Sequence, residues 1–163
     1  MSRRVVAGAL VAVGAVAVGA AAHRWFARGP SSFRAEFARC SAHQLGEPIE
    51  PRLVTEHDLR SLPSPVASYL RATGAVGQPR ITNFHATIRG RIRSGPGQRW
   101  MPFTGEQVNR YGPEPSRLFH IVASMRGMPT DVYHEFVGAD ATMRVSVLSM
   151  FPIVNAHGPE MNR

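Results

Sequence analysis

Residues 86–93 read Ala86-Thr87-Ile88-Arg89-Gly90-Arg91-Ile92-Arg93, apolar or small at every even position and polar at every odd one. Side chains alternate across a strand. Ala86, Ile88, Gly90 and Ile92 therefore share one face, and Thr87, Arg89, Arg91 and Arg93 share the other. Here the chain's period changes from helical to alternating. Ser94-Gly95-Pro96-Gly97 is a turn. Further strands are predicted over Arg99–Arg110, Leu118–Met125, Thr130–Val137 and Thr142–Met150, with turns at 112–115, at Met128-Pro129 and at 138–140. Pro102 inside the second strand implies an edge or a bulge. Turns of a few residues between short strands dictate an antiparallel meander. Residues 156–163 read as a loop leading onward.

Upstream the signals are helical. Ser31 and Ser32 can cap a helix in which Phe33, Phe37 and Cys40 recur at helical spacing. Pro48 and Pro51 end it. Thr55-Glu56-His57-Asp58 has the form of a capping box. Ser64 before Pro65 reads as an N-cap followed by Pro at the first helical position. Val66, Tyr69 and Leu70 form an apolar stripe, and Gly74 closes that helix in a left-handed cap. Short helices followed by a meander make the fold class α+β with an antiparallel, curved sheet. One apolar sheet face needs a covering layer, and two or three short helices are thin cover. The domain is expected to be incomplete or completed by a partner.

The N-terminus is of another kind. After Met1-Ser2-Arg3-Arg4, the 18 residues Val5–Ala22 are only Val, Ala, Gly and one Leu. Such a helix spans about 27 Å, close to a bilayer's hydrocarbon thickness. Trp25 and Phe26 then fall at headgroup level, with Arg24 and Arg28 just outside. The expectation is a transmembrane signal-anchor over residues 1–28, a membrane-proximal stalk over 29–54 and an α+β domain over 55–163. Ala20-Ala21-Ala22 also offers a signal cleavage site, which would release a secreted domain. Both readings put the domain outside the cytoplasm.

All 19 basic residues are Arg, and they are unevenly spread. Residues 61–100 hold six Arg and no acid, while the chain from 101 onward is nearly balanced. Within this block Arg89, Arg91 and Arg93 form a ladder. As a solvated face it would be balanced by Glu106 or Glu114. As a functional surface it would meet anionic headgroups near the tether. Nucleic acid is not expected as a partner of a tethered domain outside the cell. Trp100, Phe103, Phe119, Met125 and Met143 lie along the meander, as an ordinary core or as the lining of an adaptable apolar pocket.

No catalytic or metal-binding motif stands out. The seven His residues show no H-E-x-x-H and no close metal spacing. Ala123-Ser124-Met125-Arg126-Gly127 lacks the first Gly of a nucleophile elbow. Asp131 and Glu135 would share a strand face about 13 Å apart, too far for a glycosidase pair. Cys40 is the single cysteine, so no internal disulfide forms. No cofactor is expected.

Leu62-Pro63-Ser64-Pro65-Val66-Ala67-Ser68-Tyr69-Leu70-Arg71-Ala72-Thr73-Gly74-Ala75-Val76-Gly77 resembles the opening of an uncharacterised bacterial family of unknown function. The likeness continues at Arg99-Trp100-Met101-Pro102-Phe103-Thr104-Gly105-Glu106-Gln107, at Gly138-Ala139-Asp140-Ala141-Thr142-Met143 and at Ala156-His157-Gly158-Pro159-Glu160-Met161. The resemblance implies an N-terminal membrane helix and a domain that continues past residue 163. It carries no catalytic residue. The leading functional expectation is a membrane-tethered envelope protein, not an enzyme, with membrane lipids and a hydrophobic ligand or protein as partners. The alternatives are an enzyme whose catalytic residues lie mainly beyond this chain, with acids or His converging on Glu106 or His120, and a tether without ligand.

Overall fold

The computed structural model describes residues 3–158 and 161, with side chains from residue 13 onward. Four helices precede the sheet: α1 (Arg3–Arg28), α2 (Phe33–Gly46), α3 (Glu56–Leu59) and α4 (Ser64–Ala72). Six strands follow: β1 (Asn83–Ile92), β2 (Met101–Arg110), β3 (Ser116–Met125), β4 (Met128–Val137), β5 (Asp140–Val147) and β6 (Phe151–His157). They form one antiparallel sheet in sequence order, the α+β meander.

Ser32 caps α2 by accepting the Ala35 N–H. Phe37 then enters the core with Val108, Leu118 and Tyr133, and Phe33 and Cys40 pack around them. Glu36 accepts a 2.6 Å hydrogen bond from Arg144, whose guanidinium also lies 5.0 Å from the Phe33 and Tyr133 rings. The segment read as a stalk thus contributes a helix that lies across β2, β3 and β4. Burial, with a smaller contribution from Glu135, pushes the Tyr133 phenol far above its ordinary range.

Thr55 and Asp58 form the capping box at α3. Asp58 also meets Arg80, and these contacts together hold its carboxyl well below the usual range. Arg71 binds Glu56 through both Nε and Nη2. Backbone bonds Val54 to Gln78, Gly77 to Val54 and Arg80 to Arg52 close this helical loop at its neck. Ser64 is not the cap of α4. Pro63 holds that position without a side-chain bond, and Ser64 is the first helical residue. The expected stripe is also not buried: Val66 and Tyr69 are exposed, and Ala67 is the buried residue. Gly74 does adopt the left-handed cap, φ 71°.

The third hairpin turn is Arg126-Gly127, φ 52° and 82°, and Met128-Pro129 belongs to β4. Two consecutive left-handed residues match the twist of a two-residue hairpin. β5 ends at Val147, and the chain turns through Leu148 and Ser149, φ 55° and 58°, into the unexpected sixth strand. Pro102 pairs only with Arg91. Pairing of β2 with β3 begins one residue later, so the missing N–H falls where that side is open.

Among the described residues no helix is long and apolar enough to cross a membrane. The first part of the apolar run, residues 5–12, lies outside the described side chains.

Candidate functional site

The pairing register sorts the sheet into two unlike faces. Beneath α2 lie His85, Glu106, His120, Asp131, Tyr133 and Arg144, with Val108 and Leu118 as the only large aliphatics of the core cluster. The opposite face carries an unbroken row across all six strands: Ile88, Gly105, Ile121, Val132, Val145 and Val154. The next row reads Gly90, Phe103, Ala123, Thr130, Val147 and Phe151. Among the described residues no helix packs along this open face.

The open face is curled. A Cβ added to Gly105 would meet Ile121 Cα at 2.9 Å and collide with Ile121 Cγ2 and the His120 carbonyl. Directly opposite Cβ atoms in a flat antiparallel pair stand about 4.5–5.5 Å apart. Gly105 therefore lets β2 and β3 pinch together on this side. Ile121 is only 2% exposed although no helix covers it, because same-face neighbours wall it in.

The face is graded along its length. At the end formed by the β1–β2, β3–β4 and β5–β6 turns it is apolar, ending in Ile92, Met101, Met125, Met128 and Phe151. At the other end Gln107, Asn109, Arg117 and His134 appear, with Gln107 donating to Asn109 at 2.6 Å. An open cavity of about 730 Å³ lies there, lined by Asn109, Arg117, His134, Phe136 and Ala141 among others. Burial, and secondarily Arg117, lowers the His134 pKa, so the imidazole is neutral at pH 7.

Of the five residues expected in an apolar pocket, Phe103, Phe119, Met125 and Met143 share the open face, each partly buried. Trp100 lies before β2 and stacks under Arg93 at 4.6 Å. Arg89 and Arg91 sit on the helix-bearing face of edge strand β1, and Arg93 just beyond it. All three are exposed. Arg89 and Arg91 thus stand away from the apolar face, whose polar end carries Arg117. The expected acids do not balance the three arginines. Glu106 is held by His85 at 2.9 Å, and Glu114 lies against Gly138 at the far end.

The sequence missed the buried polar cluster under the α1–α2 turn. His120 Nε2 is 3.3 Å from Asp131 Oδ1, and Ser149 Oγ donates to Asp131 Oδ2 at 2.5 Å. Ser149 bonds the carboxylate rather than the imidazole, so the cluster lacks the nucleophile–base contact of a triad. Glu106 and His120 are cross-strand neighbours, with Phe37 6.1 Å from the His120 ring. No group of three or more His, Cys, Asp or Glu side chains among the described residues could hold a metal ion. His23 Nδ1 lies 3.0 Å from the Leu148 carbonyl, which fixes the end of α1 to the β5–β6 turn. The N-terminal helix is thereby joined to the apolar end of the sheet.

No curated protein and no solved structure matches the chain. Residues 52–163, which include all four segments of the resemblance, match the profile of DUF6544, a family of unknown function, and the chain belongs to that family.

Proposed function

We propose that this protein is tethered to a membrane by its first helix and holds a lipid-like ligand on the open face of its sheet. The observation that carries the reading is the aliphatic row from Ile88 to Val154, uncovered by this chain's described helices and curled at Gly105. The row's residues are partly buried, Ile121 fully so, and the apolar area they leave to solvent costs roughly 25 cal/mol per Å² unless something covers it.

The tether rests on the run Val5–Ala22. Val13, Val16 and Val18 are exposed on α1, and Trp25 and Phe26 follow at its end. The sheet end nearest this tether presents Arg91, Arg93, Arg99 and Arg126 with exposed Ile92, Trp100 and Met128. That mixture suits the headgroup region of an anionic leaflet, where each arginine contributes about 1 kcal/mol. A lipid drawn from the leaflet onto the open face would keep its orientation, tail toward the bilayer and headgroup outward.

The test is to express the full chain, separate membranes by ultracentrifugation, purify the protein and analyse co-purified lipid by mass spectrometry. The expected result is membrane association and near-stoichiometric lipid, which Val132→Asn reduces severalfold without loss of the folded sheet. Recovery of the unprocessed chain in the soluble fraction, free of lipid, would overturn the proposal. Capture of a protein on the same face would replace the lipid with a polypeptide partner.

A further inference from the structure

The polar end of the open face carries a second inference, which rests on the reading above and names the ligand class. We infer that the cavity at Arg117 binds the anionic headgroup of a single-chain amphiphile, a carboxylate or a phosphate, whose tail lies along the aliphatic rows.

Charge is the first argument. Arg117 is exposed and has no acidic partner among the described residues. It stands on the same face as Phe119, Ile121 and Ala123, a cation at one end of an apolar track. Its cross-strand neighbours are Asn109 and Phe136, so no carboxylate stands directly opposite it. Arginine's planar fork matches a carboxylate or phosphate through two parallel hydrogen bonds.

Neighbouring polar groups are the second. His134 sits diagonally beside Arg117 and is neutral, so it can donate one hydrogen bond without adding charge. Asn109 supplies an amide already oriented by Gln107.

Length is the third. From Arg117 to Met125 the strand runs eight residues, about 26 Å. One leaflet's share of a bilayer's roughly 30 Å hydrocarbon core is about 15 Å, the reach of one acyl chain. The rows from Phe119 to Ala123, about 13 Å, hold most of such a tail.

The test uses the full chain in zwitterionic lipid membranes, with two photoreactive probes: hexadecanoic acid bearing a terminal diazirine, and the matching hexadecanol. Peptide-level mass spectrometry separates labelling of β3, β4 and β5 from labelling of α1. The acid should label the strands about tenfold more than the alcohol. Arg117→Gln should bring the two within about twofold, and Arg117→Lys should keep most of the preference. Unlabelled hexadecanoate and hexadecyl phosphate should compete, and inorganic phosphate alone should not.

Equal labelling by acid and alcohol, unaffected by Arg117→Gln, would overturn the headgroup site and leave the apolar face standing. Labelling confined to α1 by both probes would sink both readings. Competition by inorganic phosphate as strong as that by the acid would make the ligand a free anion and overturn the amphiphile. Because Arg117 is exposed and its replacement need not disturb the core, hydrogen exchange of β3 should match between the two Arg117 variants and the parent.

Discussion

Phe37→Ala is the perturbation that separates a free stalk from a helix that belongs to the domain. Phe37 is 5% exposed, and its ring reaches the cluster of Val108, Leu118 and Tyr133 while lying 6.1 Å from the His120 ring. Truncating a buried Phe costs about 3–5 kcal/mol, as lost transfer energy plus the cavity left behind. The core beneath α2 is small, and the neighbouring polar groups relax poorly into a void, so we expect about 3–4 kcal/mol. A domain of this size is stable by roughly 5–15 kcal/mol, so the variant loses a large share of its stability. Its melting midpoint should fall by about 10 °C or more. The assay is urea unfolding of the purified full chain followed by Trp100 fluorescence, with Trp25→Phe as background. Leu45→Ala, at a surface position 36% exposed, should change stability by less than about 1 kcal/mol. A second readout is the Tyr133 phenol. Burial raises its pKa in the folded state, so its contribution to stability is intact below the unfolded value near 10 and lost as pH rises beyond it. With Phe37 removed, water reaches the ring and the Tyr133 pKa should fall back toward the ordinary phenol value. A loss below 1 kcal/mol with unchanged tyrosine titration would refute the argument and return α2 to the role of a stalk.

Three further outcomes follow from the geometry. Gly105→Ala should destabilise by several kcal/mol in the same unfolding assay, because its methyl has no room against Ile121 and the His120 backbone; Gly46→Ala meets nothing within 4 Å and should be neutral or slightly stabilising. Asp131→Asn removes the carboxylate that His120 and Ser149 share, and should cost about 2–3 kcal/mol in the same unfolding assay. His134 has a lowered pKa when folded, so the stability it contributes is present above its unfolded value near 6.5 and is lost as pH falls through the folded value; His134→Gln should flatten that part of the stability curve.

The meander was legible because local signals and tertiary structure agree there. The alternation at 86–93 fixes both faces of β1, and Gly97, Gly127 and Gly138 mark turns at φ 77°, 82° and 59°. Errors arose where a local rule met two solutions. Met128-Pro129 looks like a turn because of its proline, yet Arg126-Gly127 supplies the two left-handed residues a tight hairpin needs. β6 was hidden because its pattern is broken by a register shift opposite Val145 and Ser146, which leaves Ile153 out of step and exposed. The stripe on α4 shows that periodicity reports amphipathicity and does not name what will cover it. The site was legible in kind but not in arrangement. Parity along β3 alone puts Arg117, Phe119 and Met125 on one face. That Phe103 and Met143 join them while Arg89 and Arg91 lie behind the sheet depends on cross-strand register, which no single strand encodes.

Which face a protein covers with its own helix is normally decided by apolar area, and here the choice runs the other way. α2 lies over His85, Glu106, His120, Asp131 and Arg144, and its seating depends on a small aromatic cluster with polar contacts such as Arg144 to Glu36. The richer aliphatic surface, from Ile88 through Val154, is left to the other side. Polar contacts contribute about 1 kcal/mol each when satisfied, whereas the uncovered rows would gain several times that from a covering layer. A sequence shaped only to fold alone would have exchanged the two faces. The arrangement makes sense if the cover for the open face is supplied separately. The gradation of that face, from Met125 and Phe151 at the end next to α1 to Arg117 and His134 at the other, gives the cover a polarity that a symmetrical packing layer would not require. An amphiphile has that polarity.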